Sequence, residues 1–266
     1  MDRLLMLRLH VQGCSAEALI NDIPVGRVGA GAGGLSLPVH EYLLDGANEV
    51  SLVVNPAPAG SKPAPALPRL AEGVVGARLR LLLPRMGQVG SELEARTVAE
   101  VVWSAPDGDV YSTPQTLTRS ISLPIKFPRW RWLDAPVVDD VDAHKPLIAS
   151  FLQAIAVDLL RGDAESFLTA SRLRMEELAS AYQLPVADVA TKLRSRLQLL
   201  HATKALKMAI PHEADLLLRR CAGGRLIECM TGAGGPALAT LPGADGTSSC
   251  WPVRVAVVTG HCHILR

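Results

Sequence analysis

Hydrophobic rhythm is the feature that most narrows the fold. Apolar residues recur at every second position up to about Trp132, at helical steps from Leu147 to Leu200, and at every second position again from Leu216. A strand sends alternate side chains to opposite faces, whereas a helix returns to one face every three or four residues. The order is therefore strand region, helix region, strand region. At the start, Leu5, Leu7, Leu9 and Val11 alternate with Met6, Arg8 and His10, the pattern of a strand with one wet face. Further strand-like runs cover 18–23, 35–39, 50–54, 77–83, 97–103 and 117–125, separated by Gly, Pro, Asn and Asp. Asp107-Gly108 reads as a hairpin turn between two of them.

After Trp132 an acidic, proline-punctuated stretch follows, and three helices are then predicted. Leu147, Ile148, Phe151, Leu152 and Ile155 form the apolar face of the first. Gly162 ends it, and Asp163 can cap the second. Val186, Val189, Ala190, Leu193, Leu197 and Leu200 define the third, with Pro185 suited to its first turn. A meander is predicted over 216–221, 225–230, 237–241, 253–258 and 261–265. The expected architecture is a two-domain α+β chain. It has an N-terminal antiparallel β-sandwich (1–132), a linker (133–143) and a C-terminal roll of helices plus antiparallel sheet (144–266).

A net charge of +1 argues against a nucleic-acid binder that works through a broad basic field. No apolar run approaches the ~20 residues of a membrane-spanning helix, so no membrane partner is expected. Five cysteines without paired spacing fit reduced thiols and a cytoplasmic address. Gly29 to Gly34 lacks the Lys-Ser/Thr ending of a phosphate loop, and Asn55 to Pro68 reads as an extended linker or long loop. No cofactor motif is present.

The candidate binding cluster is Arg129, Trp130, Arg131 and Trp132, where half of the four tryptophans lie among cations. Flat rings beside guanidinium groups suit partner, sugar or anion recognition, or glue a domain junction. His261 and His263 share a strand face and could bind a metal with Cys229 or Cys250. The paired ligand spacing of a zinc site is missing, so no metal is assigned. Cys221 and Cys229 lie in strand patterns where cysteine serves as a small hydrophobe. Lys192, Arg194 and Arg196, with Lys204 and Lys207 beyond, read as a solvated helix face or a dock for an acidic partner. Asp139, Asp140 and Asp142 read as linker charge. His201, His212 and Asp215 are the acid/base candidates of an enzyme reading.

Two resemblances add to this. Asn21-Asp22-Ile23-Pro24-Val25-Gly26, followed by Tyr42-Leu43-Leu44-Asp45-Gly46-Ala47-Asn48, resembles the jelly-roll, galactose-binding-like modules of glycoside hydrolases, with Asp22 where those modules usually carry glycine. That resemblance implies a sandwich fold and a carbohydrate or small-ligand partner. The stretch 144–266 resembles the cystatin-like α+β roll of nuclear transport factor and ketosteroid isomerase relatives, which implies a roll able to host a pocket or an interface. No catalytic constellation is matched. The expected function is a non-enzymatic binding protein, a protein–protein interaction or accessory, neutralising module. The alternatives are a carbohydrate- or small-ligand-binding protein, or a small-molecule enzyme with its pocket in the C-terminal roll.

Overall fold

A computed structural model of the chain describes residues 4–29, 33–55, 75–84, 95–105, 114–243 and 245–266. The middle of the glycine-rich connection, the proline-rich stretch after Asn55 and the expected Asp107-Gly108 turn lie outside the described residues. The protein is mixed α+β with antiparallel sheets, and its contacts separate into two compact units that divide between Pro128 and Arg129.

The first unit contains β1 (Met6–Gln12), β2 (Ala16–Ile20), β3 (Ile23–Val28), β4 (Gly34–Pro38), β5 (Gly46–Val54), β6 (Val75–Leu83), β7 (Arg96–Ala105) and β8 (Gln115–Leu123). They form two four-stranded antiparallel sheets, ordered β4-β1-β6-β7 and β3-β2-β5-β8. Leu7, Leu9 and Val11 of β1 and Ala77, Leu79 and Leu81 of β6 are buried on one face of their sheet. Arg8, His10, Arg78 and Arg80 alternate with them on the other. The second sheet contributes Ala18, Ile20, Val50, Leu52 and Val54 to the buried set. Arg119 of β8 links the sheets by donating to the Glu100 carbonyl of β7 at 3.1 Å.

The turn between β2 and β3 is Asn21-Asp22, with φ of +52° and +62° and Ile20 paired to Ile23. Both central residues of a mirror-type hairpin turn need positive φ, and Asn and Asp are the non-glycine residues that tolerate it best. Asn21 does more than turn the chain. Its Nδ2 donates to the Tyr42 carbonyl (2.8 Å) and to Asn48 Oδ1 (2.9 Å), and its Oδ1 accepts from the Glu49 amide (2.9 Å). Asn48, 2% exposed, accepts from the Leu44 amide (2.7 Å) and donates to the Leu44 and Gly46 carbonyls (2.8 and 3.0 Å). The residues that carry the jelly-roll resemblance thus form one polar hub that fixes the entry into β5.

The second unit opens with a 3-10 turn at Arg131–Asp134, followed by α1 (Lys145–Leu160), α2 (Glu165–Ala170), α3 (Arg172–Tyr182) and α4 (Val186–Ala202). There are four helices where three are predicted, because the second helical stretch breaks at Ser171. Ile148, Leu152, Ile155 and Leu159 of α1 form the buried stripe, while Leu147 at its first turn stays exposed. By length and composition alone, Asp142–Leu160 could cross a membrane, but its apolar stripe packs into the core of this unit. Gly162 (φ +87°) stops α1, and a Cβ there would lie 2.6 Å from the His201 ring of α4. Asp163 accepts from the Glu165 amide at 2.8 Å, although the cap position itself falls one residue later, on Ala164. Of the predicted α4 face only Leu197 is fully buried, and Val186 is exposed.

The strands are β9 (Leu216–Cys221), β10 (Leu226–Thr231), β11 (Leu238–Ala239), β12 (Cys250–Trp251), β13 (Arg254–Val258) and β14 (His261–Ile264). The main sheet runs β14-β13-β10-β9, and β11 pairs only with β12. The predicted simple meander is therefore interrupted, with its middle strand diverted into a separate two-stranded ribbon. Ile227, Cys229, Val255 and Val257 meet the helices, and on the opposite face Glu228 bridges Arg219 (2.5 Å) and Arg254 (3.2 Å).

Candidate functional site

The predicted cluster divides by side chain. Trp130 and Trp132 are 0% and 4% exposed, so neither indole offers a platform to a ligand. Arg266 lies over the Trp130 ring, its guanidinium carbon 5.5 Å from the centroid, and its Nη1 donates to Glu177 Oε2. Glu177 Oε1 accepts the Arg131 amide at 2.5 Å, which ties the segment to α3. Arg129 and Arg131 are exposed but engaged. Arg129 grips Asp134 (2.6 Å) and Arg131 reaches Glu176 (2.6 Å), which also holds Arg172 (2.6 Å). The Arg129 hydrogen bond keeps the Asp134 carboxyl below its usual range.

His261 and His263 lie on β14, an edge strand, beside a cleft bounded by α1, α2 and α3. Among the described residues no three His, Cys, Asp or Glu side chains gather in a metal-holding arrangement. Cys229 is fully buried, and burial above all pushes its thiol well up, with Cys262, Cys221 and Glu228 adding to the effect. Burial raises Cys262 to about 11, so at neutral pH it is a thiol and part of an apolar wall. Arg194 on the predicted basic helix face chelates Glu165 through two bonds of 3.0 and 3.1 Å. His201, His212 and Asp215 are not among the described residues that line this cleft.

A different constellation emerges on the first unit. Register sets Arg8 of β1 directly opposite Arg80 of β6, and His10 opposite Arg78. Like charges directly across a ladder are destabilising, so the Arg8–Arg80 pairing is not what sheet stability alone selects. On the β4 side the same two rows continue into Ser36 and Gly34, and on the β7 side into Glu100 and Val102. A Cβ on Gly34 would lie 2.7 Å from the Leu9 carbonyl oxygen, so this position excludes a side chain and leaves room above His10. The outcome is a concavity of about 550 Å³ walled by Arg8, His10, Arg78 and Arg80, with no acidic residue among the described residues that line it. Glu100 stands beside it, 3.5 Å from Arg78. Guanidinium forks in this geometry can take carboxylates in pairs of parallel hydrogen bonds.

Sequence reasoning passed over these four residues. The signal was present as Arg8-x-His10 and Arg78-x-Arg80, each at strand spacing on the wet face, but their juxtaposition depends on a pairing about 70 positions apart in sequence. Comparison with family models, with curated proteins and with solved structures finds no match to this chain.

Proposed function

We propose that this chain is a non-enzymatic binding protein whose first unit, an antiparallel β-sandwich, docks an acidic segment of a protein partner on the outer face of β1 and β6. In this reading the second unit is a roll of helices and sheet. The observation that carries the proposal is the Arg8–Arg80 pair, directly opposed across the ladder, with Arg78 and His10 beside it around one concavity. A net charge of +1 means that the positive field there is local, which favours a defined acidic segment over a general polyanion. A carbohydrate reading draws less support, because Trp103, Trp130, Trp132 and Trp251 are all buried and leave no indole for sugar stacking. All five cysteines are unpaired, which supports a reducing, cytoplasmic setting.

The test uses fluorescein-labelled poly-L-glutamate as the probe, with anisotropy read at low and at 0.3 M (about twice physiological) salt. Arg8→Ala with Arg80→Ala should weaken binding by about tenfold or more, and salt should weaken the unmodified protein similarly. The same double variant should unfold within about 1 kcal/mol of the parent, since removing the like-charge contact offsets the loss of the other interactions these two side chains make. Undiminished binding, or a large loss of stability, would show the arginines to be structural.

A further inference from the structure

We infer that the cleft of the second unit, between α2, α3 and the edge of β14, binds a small apolar carboxylic acid. This inference does not rest on the basic face of the first unit, and its test addresses other residues. The cleft holds about 600 Å³, within the range of small-ligand sites. Phe151 of α1 and Leu173 of α3 line it, with Cys262 of β14 beside them. That wall suits a hydrocarbon body.

The polar groups around it are unevenly satisfied. Glu165 is the one carboxylate among the described lining residues, and both of its oxygens accept from Arg194. The other polar groups, in contrast, are open. Ser166 Oγ is buried without a partner, and buried hydroxyls are almost always hydrogen-bonded. The side chains of His261 and His263 have no hydrogen bond or ion pair among the described residues, and His263 is half-buried. Arg172 spends Nη1 on Glu176 and keeps other N–H groups. With the carboxylate neutralised by Arg194 and the guanidinium of Arg172 only partly used, the site favours a ligand that accepts, and the hydroxyl and imidazoles can turn a donor toward it. The apolar wall separates a hydrocarbon acid from a bare inorganic anion, whose whole surface would need polar partners.

The experiment is calorimetric titration of sodium octanoate into the full chain, with inorganic phosphate as a parallel titrant. Ser166→Ala and His263→Ala provide two independent variants, each checked for an unchanged circular dichroism spectrum. Octanoate should bind one site saturably, and each variant should weaken it by about tenfold through loss of a hydrogen bond to a charged acceptor. Phosphate should neither bind nor compete. Absence of saturation at millimolar octanoate, unchanged affinity in both variants, or phosphate binding as tight as octanoate would each overturn the assignment.

Discussion

The substitution Asn48→Asp changes one NH2 to an oxygen and nothing else in shape, yet it should unfold the first unit far more readily. Asn48 is 2% exposed, and its Nδ2 donates to the Leu44 and Gly46 carbonyls at 2.8 and 3.0 Å. With a carboxylate in place of the amide, those two bonds become oxygen–oxygen contacts at the same distances, and a charge is buried beside them. Losing two hydrogen bonds costs about 1–3 kcal/mol, and leaving two carbonyls facing a carboxylate adds a comparable amount. We expect a total of roughly 3–4 kcal/mol, a fall in melting temperature on the order of 10 °C for a unit of this size. The sign of the pH dependence follows from the same geometry. A carboxyl that gains a donor only when protonated has its folded pKa raised above the unfolded value of about 3.9. The destabilisation is therefore complete above the raised pKa and is relieved as pH falls toward the unfolded one. Urea titrations at neutral and mildly acidic pH measure this, with amide exchange at Leu44 and Glu49 as the local reporter, since both amides donate into the hub. A variant as stable as the parent at pH 7, or one whose deficit grows on acidification, would refute the hub as a source of stability.

Other outcomes follow from the thiols and the exposed ion pair. With iodoacetamide at pH 8, exposed Cys250 should be alkylated first. Cys262, raised to about 11 by burial, should react slowly, and Cys229 only on unfolding; mass spectrometry of quenched time points gives the order. Arg129→Ala should return the Asp134 carboxyl, held down chiefly by its hydrogen bond to Arg129, to the ordinary range, as read by carboxyl-carbon NMR titration. Whatever that ion pair contributes is present above the ordinary carboxylate pKa and fades as pH falls through the lowered one.

The alternation of Leu5, Leu7, Leu9 and Val11, and the three- and four-residue steps of Ile148, Leu152 and Ile155, made strands and helices legible because burial follows local geometry. The Asn21-to-Asn48 stretch was legible as a turn and strand approach, though not as a hub, since the bond between the two amides joins residues 27 positions apart. Trp130 and Trp132 resemble an exposed recognition motif on composition alone. Both are buried, Trp130 beneath Arg266 and in a segment tied to α3 through Glu177, and no local pattern links those residues to it. The break of the second helical stretch at Ser171 was hidden because both halves keep helical spacing. The arginine face was hidden for another reason: which strands are neighbours is decided by long-range pairing, and periodicity reports only which side a residue faces.

Glu228 lies between two guanidinium groups, one on each neighbouring strand, while Ile227 and Cys229 on either side of it belong to the apolar layer. A slip of β10 by one position would push the carboxylate into hydrocarbon and strand Arg219 and Arg254 against aliphatic side chains. Each of those errors carries a cost of several kcal/mol, so misaligned sheets are heavily disfavoured even if the correct one gains little from the charges. A leucine at this position would leave β10 free to sample shifted alignments, and that loss of fidelity would show as heterogeneous refolding before any large change in melting temperature.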